Sequence, residues 1–92
     1  MTKADIVNEI TKQTGVDKHA ALASIEAFMQ IVKKSLEDGE NVYLRGFGSF
    51  IIKERAEKIA RNISKNVTIV VPKHNIPAFK PAQTFVDQIS KQ

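Results

Sequence analysis

The sequence predicts an α+β fold with an N-terminal two-helix hairpin, a three-stranded antiparallel sheet bearing a long protruding β-ribbon arm, and a short C-terminal helix. Two observations carry this prediction. Apolar residues in the first 38 positions recur with helical spacing, whereas positions 50–76 hold two β-prone runs separated by turn-forming residues. At 92 residues the chain is expected to form one domain, 1–92, whose modest core makes oligomerisation an expectation as well.

The first helix is predicted from the residues at its two ends. Thr2 is a helix-capping residue, and Asp5 follows three positions later, which is the spacing of a capping box. Gly15 is placed to end this helix, because glycine takes left-handed backbone angles without steric cost. Between these ends the apolar residues share one helical face: Ala4, Ile6, Val7 and Ile10.

A second helix is predicted after Asp17, a capping candidate, and Asp38-Gly39 is expected to end it. Its apolar residues are spaced by three and four positions, and Ala21 and Phe28 widen the stripe that they form: Leu22, Ile25, Met29, Val32 and Leu36. Two helices joined by a tight turn allow a helix-turn-helix DNA reader. The second helix argues against that function, because its polar face mixes charges of both signs and its broad apolar stripe is typical of a packing surface.

The pattern changes from helical to β-rich after Gly39. Val42–Leu44 is a short strand candidate, a β-rich run begins at Phe50-Ile51-Ile52, and Val67–Val71 is strongly β-prone. Residues 53–60 taken alone also suit a helix, since Ala, Glu and Lys favour one. Pairing of this segment with 65–76 would instead give a long hairpin over 50–76 with its tip near 61–66, and this is the structure we predict. Pro81 then suits the first turn of the last helix.

Basic residues are concentrated in the middle of the chain. The formal net charge is −2 over positions 1–44, +6 over 45–80 and zero over 81–92. A basic segment beside an acidic one indicates a polyanionic partner that binds within 45–80. Charge alone leaves open the alternative of a solvated basic surface.

The composition excludes several kinds of site. The chain has no cysteine, so disulfides, thiolate zinc sites and thiol catalysis are excluded. No catalytic arrangement stands out, and His19 and His74 do not form a metal or catalytic pair, so we expect no enzyme activity, cofactor or metal. The first residues lack the apolar run of a signal peptide and no stretch is long enough to span a membrane, so we expect a soluble, cytoplasmic protein.

Two motifs narrow the interpretation to one family. They are Gly46-Phe47-Gly48-Ser49-Phe50 and Pro77-Ala78-Phe79-Lys80-Pro81, and the pair Arg61-Asn62 lies between them. In this order and spacing, with the two N-terminal helices and the overall length, the sequence resembles the HU/IHF family of bacterial nucleoid DNA-binding proteins over the whole chain.

The resemblance implies an intertwined dimer, either a homodimer or a heterodimer with a paralogue. It implies a helical dimerisation base over 1–38, a β-saddle over 39–81 whose arm spans about 53–76, and a C-terminal helix over 82–92. The arms are expected to lie in the DNA minor groove and to bend the duplex with little sequence preference, compacting the chromosome in the nucleoid. The expected partner is double-stranded DNA, preferably bent, nicked or gapped, because deforming such a duplex costs less.

Two sets of residues follow from the resemblance and from the chemistry of each side chain. The set expected to contact DNA combines the glycine turn, the basic residues and the arm tip: Lys3, Arg45, Gly46, Gly48, Ser49, Lys53, Arg55, Lys58, Arg61, Asn62, Ile63, Lys65, Lys73 and Lys80. The set expected to form the dimer core is apolar: Leu22, Ile25, Phe28, Met29, Val32, Leu36, Leu44, Phe47, Phe50 and Phe79. Within the arm, strand parity predicts Lys53, Arg55 and Arg61 on one face and Lys58 on the other. His74 is expected to be exposed to solvent.

The sequence departs from the family at the arm tip and in the last helix. Ile63 stands where the family usually has its intercalating proline; isoleucine can also act as a wedge but lacks the rigidity of proline, so Ile63 is expected to intercalate with a weaker or differently placed kink. Asn66 stands where glycine is common, and asparagine tolerates positive φ. Gln83 and Val86 replace frequent lysines, which predicts a looser hold on flanking DNA.

The residues leave three other functions open. The chain could be a subunit of an IHF-like, sequence-selective heterodimer. It could instead be an RNA-binding β-protein, or an interaction module that uses only its apolar helix face.

Overall fold

The computed structural model describes residues 1–62, 64 and 66–91. Its elements follow the chain in this order: α1 (Lys3–Thr14), α2 (Lys18–Glu37), β1 (Val42–Leu44), β2 (Gly48–Arg55), β3 (Lys58–Asn62), β4 (Val67–Val71), β5 (His74–Pro81) and α3 (Gln83–Ser90). Two helices, antiparallel strands and a C-terminal helix confirm the predicted fold class. Backbone proximity divides the chain into two compact units, Met1–Ser35 and a second that begins at Leu36.

Helix α1 begins at the predicted capping box. The Asp5 backbone N–H donates to the Thr2 hydroxyl over 3.3 Å, and the Asp5 carboxylate accepts from the Thr2 backbone N–H over 2.8 Å. Hydrogen bonds to the carboxylate, from the Thr2 backbone first and from its hydroxyl second, hold the pKa of Asp5 below its ordinary value of 3.8. At the other end Gly15 adopts φ 75° and its N–H donates to the Thr11 carbonyl, which confirms the predicted glycine stop.

Helix α2 also has the ends that the sequence predicts. The Asp17 carboxylate accepts hydrogen bonds from the backbone N–H groups of His19 at 3.1 Å and Ala20 at 3.3 Å, so Asp17 caps this helix. After the helix, Gly39 takes φ 86° and its N–H donates to the Leu36 carbonyl at 3.0 Å. A residue with a side chain would be strained at that backbone angle, so glycine is required for the chain to leave the helix here.

Strands β1, β2 and β5 form an antiparallel sheet in the order β1-β2-β5. All three residues of β1 pair with the start of β2, and β2 pairs with β5 along its whole length, from Gly48↔Pro81 to Arg55↔His74. The β-rich run predicted from Phe50 therefore begins two residues earlier, at Gly48. Pairing on both sides makes β2 the central strand of this sheet.

Strands β3 and β4 form a two-stranded ribbon that continues the pairing of β2 with β5. Pairing stops at Arg55↔His74 and resumes at Lys58↔Val71, so two residues are passed on each strand and the register does not slip. Pro72 lies in this interruption and has no N–H to donate. The predicted long hairpin is confirmed, and the alternative of a helix over 53–60 is wrong, since these residues lie in β2, in β3 and in the interruption.

Helix α3 begins later than predicted. The expectation that Pro81 occupies its first turn is wrong, because Pro81 is the last residue of β5 and α3 runs Gln83–Ser90. Proline is tolerated in β5 because this strand lies at the edge of the sheet. The Ala82 N–H donates to the Phe47 carbonyl at 2.9 Å, which fixes the start of α3 to the turn between β1 and β2.

Few side chains of the single chain are fully buried. Among the described residues the buried hydrophobic side chains are Val7, Ala21 and Val32. Of the residues predicted for the dimer core, Val32 is buried, Ile25, Leu36, Leu44 and Phe50 are half-buried, and the exposed ones are Leu22, Phe28, Met29, Phe47 and Phe79. Apolar side chains of this size and exposure are typical of a surface that another molecule covers. The dimer itself stays a prediction.

The capping box of α1 generates a prediction about stability and pH. The depressed pKa of Asp5 means that its contribution to stability is present above pH 3.8 and is lost as the pH falls through the lower folded-state value. We expect Asp5→Asn to lower the melting temperature at pH 7, and the difference from the unmodified chain to shrink below pH 3.8. Thermal melts followed by circular dichroism from neutral to strongly acidic pH measure this. A difference that stays constant over that range would contradict the assigned role of the carboxylate.

Candidate functional site

One face of the paired strands collects most of the basic side chains of the hairpin. Side chains alternate between faces along a strand, and Cα partners in an antiparallel pair share a face. The register therefore sets one group of side chains on one side, which we name the cationic face. Its polar and charged members are Ser49, Lys53, Arg55, Arg61, Thr68, His74 and Lys80, and the other residues that β2 to β5 place on that side are apolar. The prediction that Lys53, Arg55 and Arg61 share a face is confirmed.

The opposite face differs in its chemistry. Phe50 and Phe79 are Cα partners on this side, with ring centroids 5.1 Å apart. Lys58 also lies here, as predicted, and the Lys73 ammonium lies 3.2 Å from the carboxylate of Glu54, a residue of the same face. The cationic face thus carries the arginines of the hairpin, while the other face carries aromatic rings, Lys58 and the Glu54 carboxylate that pairs with Lys73.

An open groove of about 660 Å³ lies where the cationic face meets the turn between β1 and β2. Its lining includes Arg45, Gly46, Ser49 and Lys80. Ser49 and Lys80 are Cα partners, so the hydroxyl and the ammonium stand on adjacent strands of the same face. Two cations, a hydroxyl and exposed backbone are the groups that proteins use to hold phosphate oxygens. With Gly48, which also lines the groove, five residues predicted to contact DNA are therefore brought together here.

The turn beside this groove depends on Gly46. Gly46 adopts φ 84°, and a Cβ at this position would meet nothing within 4 Å, so the backbone angle alone calls for glycine. The Phe47 N–H donates to the Leu44 carbonyl at 3.0 Å and closes the turn. The Thr84 hydroxyl lies 3.5 Å from the Gly46 carbonyl, so α3 supports the turn from the other side.

Gly48 is required for packing and not for the turn. The expectation that it belongs with Gly46 to the glycine turn is therefore wrong. Gly48 lies in β2 and is buried. A Cβ there would come within 2.6 Å of the Lys80 carbonyl oxygen and of the Phe79 ring. Only hydrogen fits in that space, so glycine permits β5 and its phenylalanine to close onto β2. The phosphate contact expected of Gly48 stays a prediction.

A cluster of four phenylalanines holds this region together. The ring of Phe47 lies 5.0 Å from that of Phe79 and 5.7 Å from that of Phe85, and Phe79 lies 5.1 Å from Phe50. Aromatic pairs at these separations stabilise packing beyond the area that they bury. The set predicted for the dimer core lacks Phe85. The sequence did hold a signal for this residue, since Phe85, Val86 and Ile89 give the last helix a short apolar face.

A side-chain hydrogen bond joins Arg61 and Asn66 near the arm tip. Asn66 adopts φ 51°, which confirms the positive backbone angle expected there, and its side-chain oxygen accepts a hydrogen bond from the Arg61 guanidinium at 2.9 Å. The last described pair of the ribbon is Asn62↔Val67. The wedge candidate Ile63 and the basic residue Lys65 lie outside the described residues.

Two further residues have neighbours that the sequence did not predict. Lys3 in α1 is ion-paired with Glu26 in α2, so a phosphate at Lys3 has to compete with a carboxylate. His74 is exposed as expected, but the register sets it opposite Arg55 on the cationic face. Strand parity places His74 on this face only when its pairing with Arg55 is known, and no local sequence pattern gives that pairing.

Across residues 1–62, 64 and 66–91, no helix combines the length and the hydropathy that crossing a bilayer requires. No cluster of three or more His, Cys, Asp or Glu side chains arranged to hold a metal ion occurs in that described part.

Sequence comparisons relate the chain to one group of proteins. A family model described as bacterial DNA-binding protein matches residues 1–90. The DNA-binding protein HU of Staphylococcus aureus (strain COL) is 34% identical over 89 residues, which are 97% of this chain and 99% of that protein. The SPbeta prophage-derived DNA-binding protein HU 2 of Bacillus subtilis (strain 168) is 33% identical over 89 residues, 97% of each chain.

Solved structures give the same relationship. The structure of Anabaena HU in a cocrystal with DNA superposes with a TM-score of 0.93 at 28% identity and covers 100% of both chains. HU from Thermotoga maritima superposes with a TM-score of 0.68 at 21% identity over 97% of this chain and 98% of that one, which shows the fold alone.

The packing around Gly48 yields a prediction about stability. Gly48→Ala forces a Cβ to within 2.6 Å of a backbone oxygen and an aromatic ring, so we expect it to lower the free energy of unfolding by about 1–3 kcal/mol, the usual cost of overpacking. Urea unfolding followed by circular dichroism measures the change.

Gly46→Asn is the matched control for this variant. Asparagine tolerates positive φ, and the space at position 46 is open, so the destabilisation there should be clearly smaller. Equal destabilisation in the two variants, or none in Gly48→Ala, would contradict the packing role of Gly48.

Proposed function

Because the chain belongs to the bacterial DNA-binding protein family, we propose that it is an architectural protein that binds double-stranded DNA with little sequence preference and bends it. The family is one of DNA-binding proteins and not of enzymes. The relative from Anabaena was crystallised with DNA, which supports DNA as the ligand of this chain too.

The observation that carries the proposal is the cationic face. Lys53, Arg55, Arg61 and Lys80 share one side of a register that does not slip across its interruption, and the groove beside Ser49 lies on that side as well. Cations in a row along an extended ribbon match a row of phosphates, and their neutralisation releases counterions from the duplex. Binding through this face depends on the charge of the phosphates and on the shape of the groove. It does not depend on base sequence, since none of these interactions requires a particular base.

The proposed complex has two parts. The groove with Arg45, Ser49 and Lys80 holds phosphates beside the sheet, while the ribbon of β3 and β4 lies in the minor groove. At the tip Ile63 inserts between base pairs and kinks the duplex, as apolar side chains do in minor-groove architectural proteins. Bent, nicked or gapped duplexes are preferred, because deforming them into the bound shape costs less free energy than bending an intact straight duplex.

The active species in this proposal is a homodimer. The exposed apolar side chains support it: Phe28 is 40%, Phe47 47% and Phe79 39% exposed in the single chain. A second copy would cover such surfaces and supply a second ribbon, which doubles the set of cations that face the duplex. A heterodimer with a paralogue is the alternative outcome when the protein is purified from its own cell. The proposed location is the nucleoid in the cytoplasm, where bending compacts the chromosome.

Charge removal from one face at a time tests the proposal. We expect Arg55→Gln with Arg61→Gln to weaken duplex binding strongly and to lower the slope of log affinity against log salt by about 0.9 for each phosphate that is no longer neutralised. Gel-shift titrations on straight and nicked duplexes at several salt concentrations give both quantities, and the unmodified protein should favour the nicked duplex.

The matched control removes the same number of charges from the other side of the ribbon. Lys58→Gln with Lys73→Gln should change affinity and salt slope much less, because Lys58 lies on the opposite face and Lys73 is paired with Glu54. Equal effects of the two double variants would refute the assignment of the cationic face. Tighter binding to structured RNA than to duplex DNA would refute the proposed ligand.

The wedge has its own test. We expect Ile63→Ala to reduce the bend angle more than the affinity, because the wedge pushes bases apart while the cations provide most of the attraction. Energy transfer between dyes at the two ends of a short duplex reports the bend, and Ile63→Pro should retain it. An unchanged transfer efficiency in Ile63→Ala would mean that Ile63 only forms the turn.

A further inference from the structure

His74 is the histidine of the cationic face, and the proposed function does not use it. It is the first residue of β5 and the Cα partner of Arg55, the last residue of β2. Its side chain is exposed, so a ligand on that face can reach it. The formal net charge at pH 7 treats histidine as neutral, so His74 is not counted among the basic residues of the hairpin.

The hydrogen bond of the imidazole fixes which nitrogen is free. Nδ1 of His74 lies 2.9 Å from the backbone carbonyl oxygen of Pro72. A carbonyl oxygen only accepts hydrogen bonds, so Nδ1 carries the proton and Nε2 is the atom left for another partner. In the neutral ring Nε2 is an acceptor, whereas in the imidazolium it is a donor.

A phosphate oxygen only accepts hydrogen bonds, so it discriminates between these two forms. The neutral ring presents a lone pair to it and is not attracted. The imidazolium donates an N–H and adds a positive charge, and the Nδ1 hydrogen bond to Pro72 persists in both forms, so the ring need not turn over. Protonation alone therefore converts His74 from a side chain that does not bind phosphate into one that does.

The charged neighbours of His74 on this face are those that the register sets nearest to it. Arg55 is directly opposite, and Lys53 is diagonal to it. Glu57 has the same strand parity across the interruption in pairing. Along its own side of the hairpin the flanking residues of the same parity are Pro72 and Ile76, which carry no charge. A bound phosphate adds negative charge beside Lys53, Arg55 and His74 together, and this favours the imidazolium.

We infer that His74 binds a backbone phosphate as the imidazolium, so that each chain takes up a proton when the protein binds duplex DNA. The inference rests on the proposed function and adds a further cation to the face at acidic pH. DNA affinity is then higher in mildly acidic than in mildly alkaline solution, because only the imidazolium donates to the phosphate.

Affinity measured against pH tests the inference. Fluorescence anisotropy with a labelled duplex, between about pH 8 and 5.5 at constant ionic strength, should give roughly threefold to tenfold tighter binding at the acidic end for the unmodified protein. His74→Gln should bind as the unmodified protein does at the alkaline end and show little gain at the acidic end. His74→Lys should bind tightly across the range. Circular dichroism at each pH checks that the variants remain folded.

His19, which is exposed and lies in α2, supplies the matched control. His19→Gln should keep the full pH dependence. Calorimetric titrations of protein with duplex in buffers of different ionisation enthalpy count the protons taken up, and the count should fall in His74→Gln alone. An unchanged pH dependence in His74→Gln, or a pH-independent affinity of the unmodified protein, overturns the inference while the proposed function stands. Absence of duplex binding at every pH would overturn the proposed function itself.

Discussion

The proposed DNA-binding function depends on one constraint, the unslipped register that pairs residues 48–62 with residues 67–81. It begins at Gly48↔Pro81, passes the interruption without inserting a residue on either strand, and reaches Asn62↔Val67. A slip of one residue in either strand would move every side chain of that strand to the other face. The basic side chains, the groove beside Ser49 and the phenylalanines are segregated only because the register holds over this length.

The register is fixed at its base by packing and by a turn. Gly48 leaves room for the Phe79 ring and the Lys80 carbonyl, and Gly46 supplies a left-handed angle that a side chain would strain. The phenylalanine cluster then packs the β1–β2 turn against β5 and α3. Beyond this base the ribbon has little side-chain burial, with every residue of β4 exposed, so it is held mainly by backbone hydrogen bonds, with the Arg61–Asn66 side-chain hydrogen bond near its tip. A ribbon of this kind is free to fill a groove in another molecule.

Much of the fold could be predicted because local chemistry determines it. The Thr2–Asp5 capping box, the Gly15 stop and the Asp17 cap each act within a few residues, and the β-prone Val67–Val71 gave the bounds of β4. The start of α3 could not be predicted from Pro81, since proline suits an edge strand as well as a first helical turn, and only the pairing with Gly48 decides between them.

Long-range pairing accounts for what the sequence did not reveal. The place of His74 opposite Arg55 depends on a register that no local pattern specifies. The packing need for Gly48 was hidden for the same reason, because the Phe79 ring that excludes a Cβ belongs to a strand far along the chain.

The central claim is that duplex DNA lies against the cationic face of the ribbon, and site-directed crosslinking tests it most directly. The chain has no cysteine, so Thr68→Cys and Ile69→Cys each introduce a unique thiol. These neighbours are both exposed in β4, but Thr68 is the partner of Arg61 on the cationic face and Ile69 is the partner of Ala60 on the other. With a duplex that carries thiol-tethered phosphates, the variant at position 68 is predicted to form the disulfide-linked complex much faster than the variant at 69. Faster crosslinking at position 69, or equal rates at both, would contradict the claim.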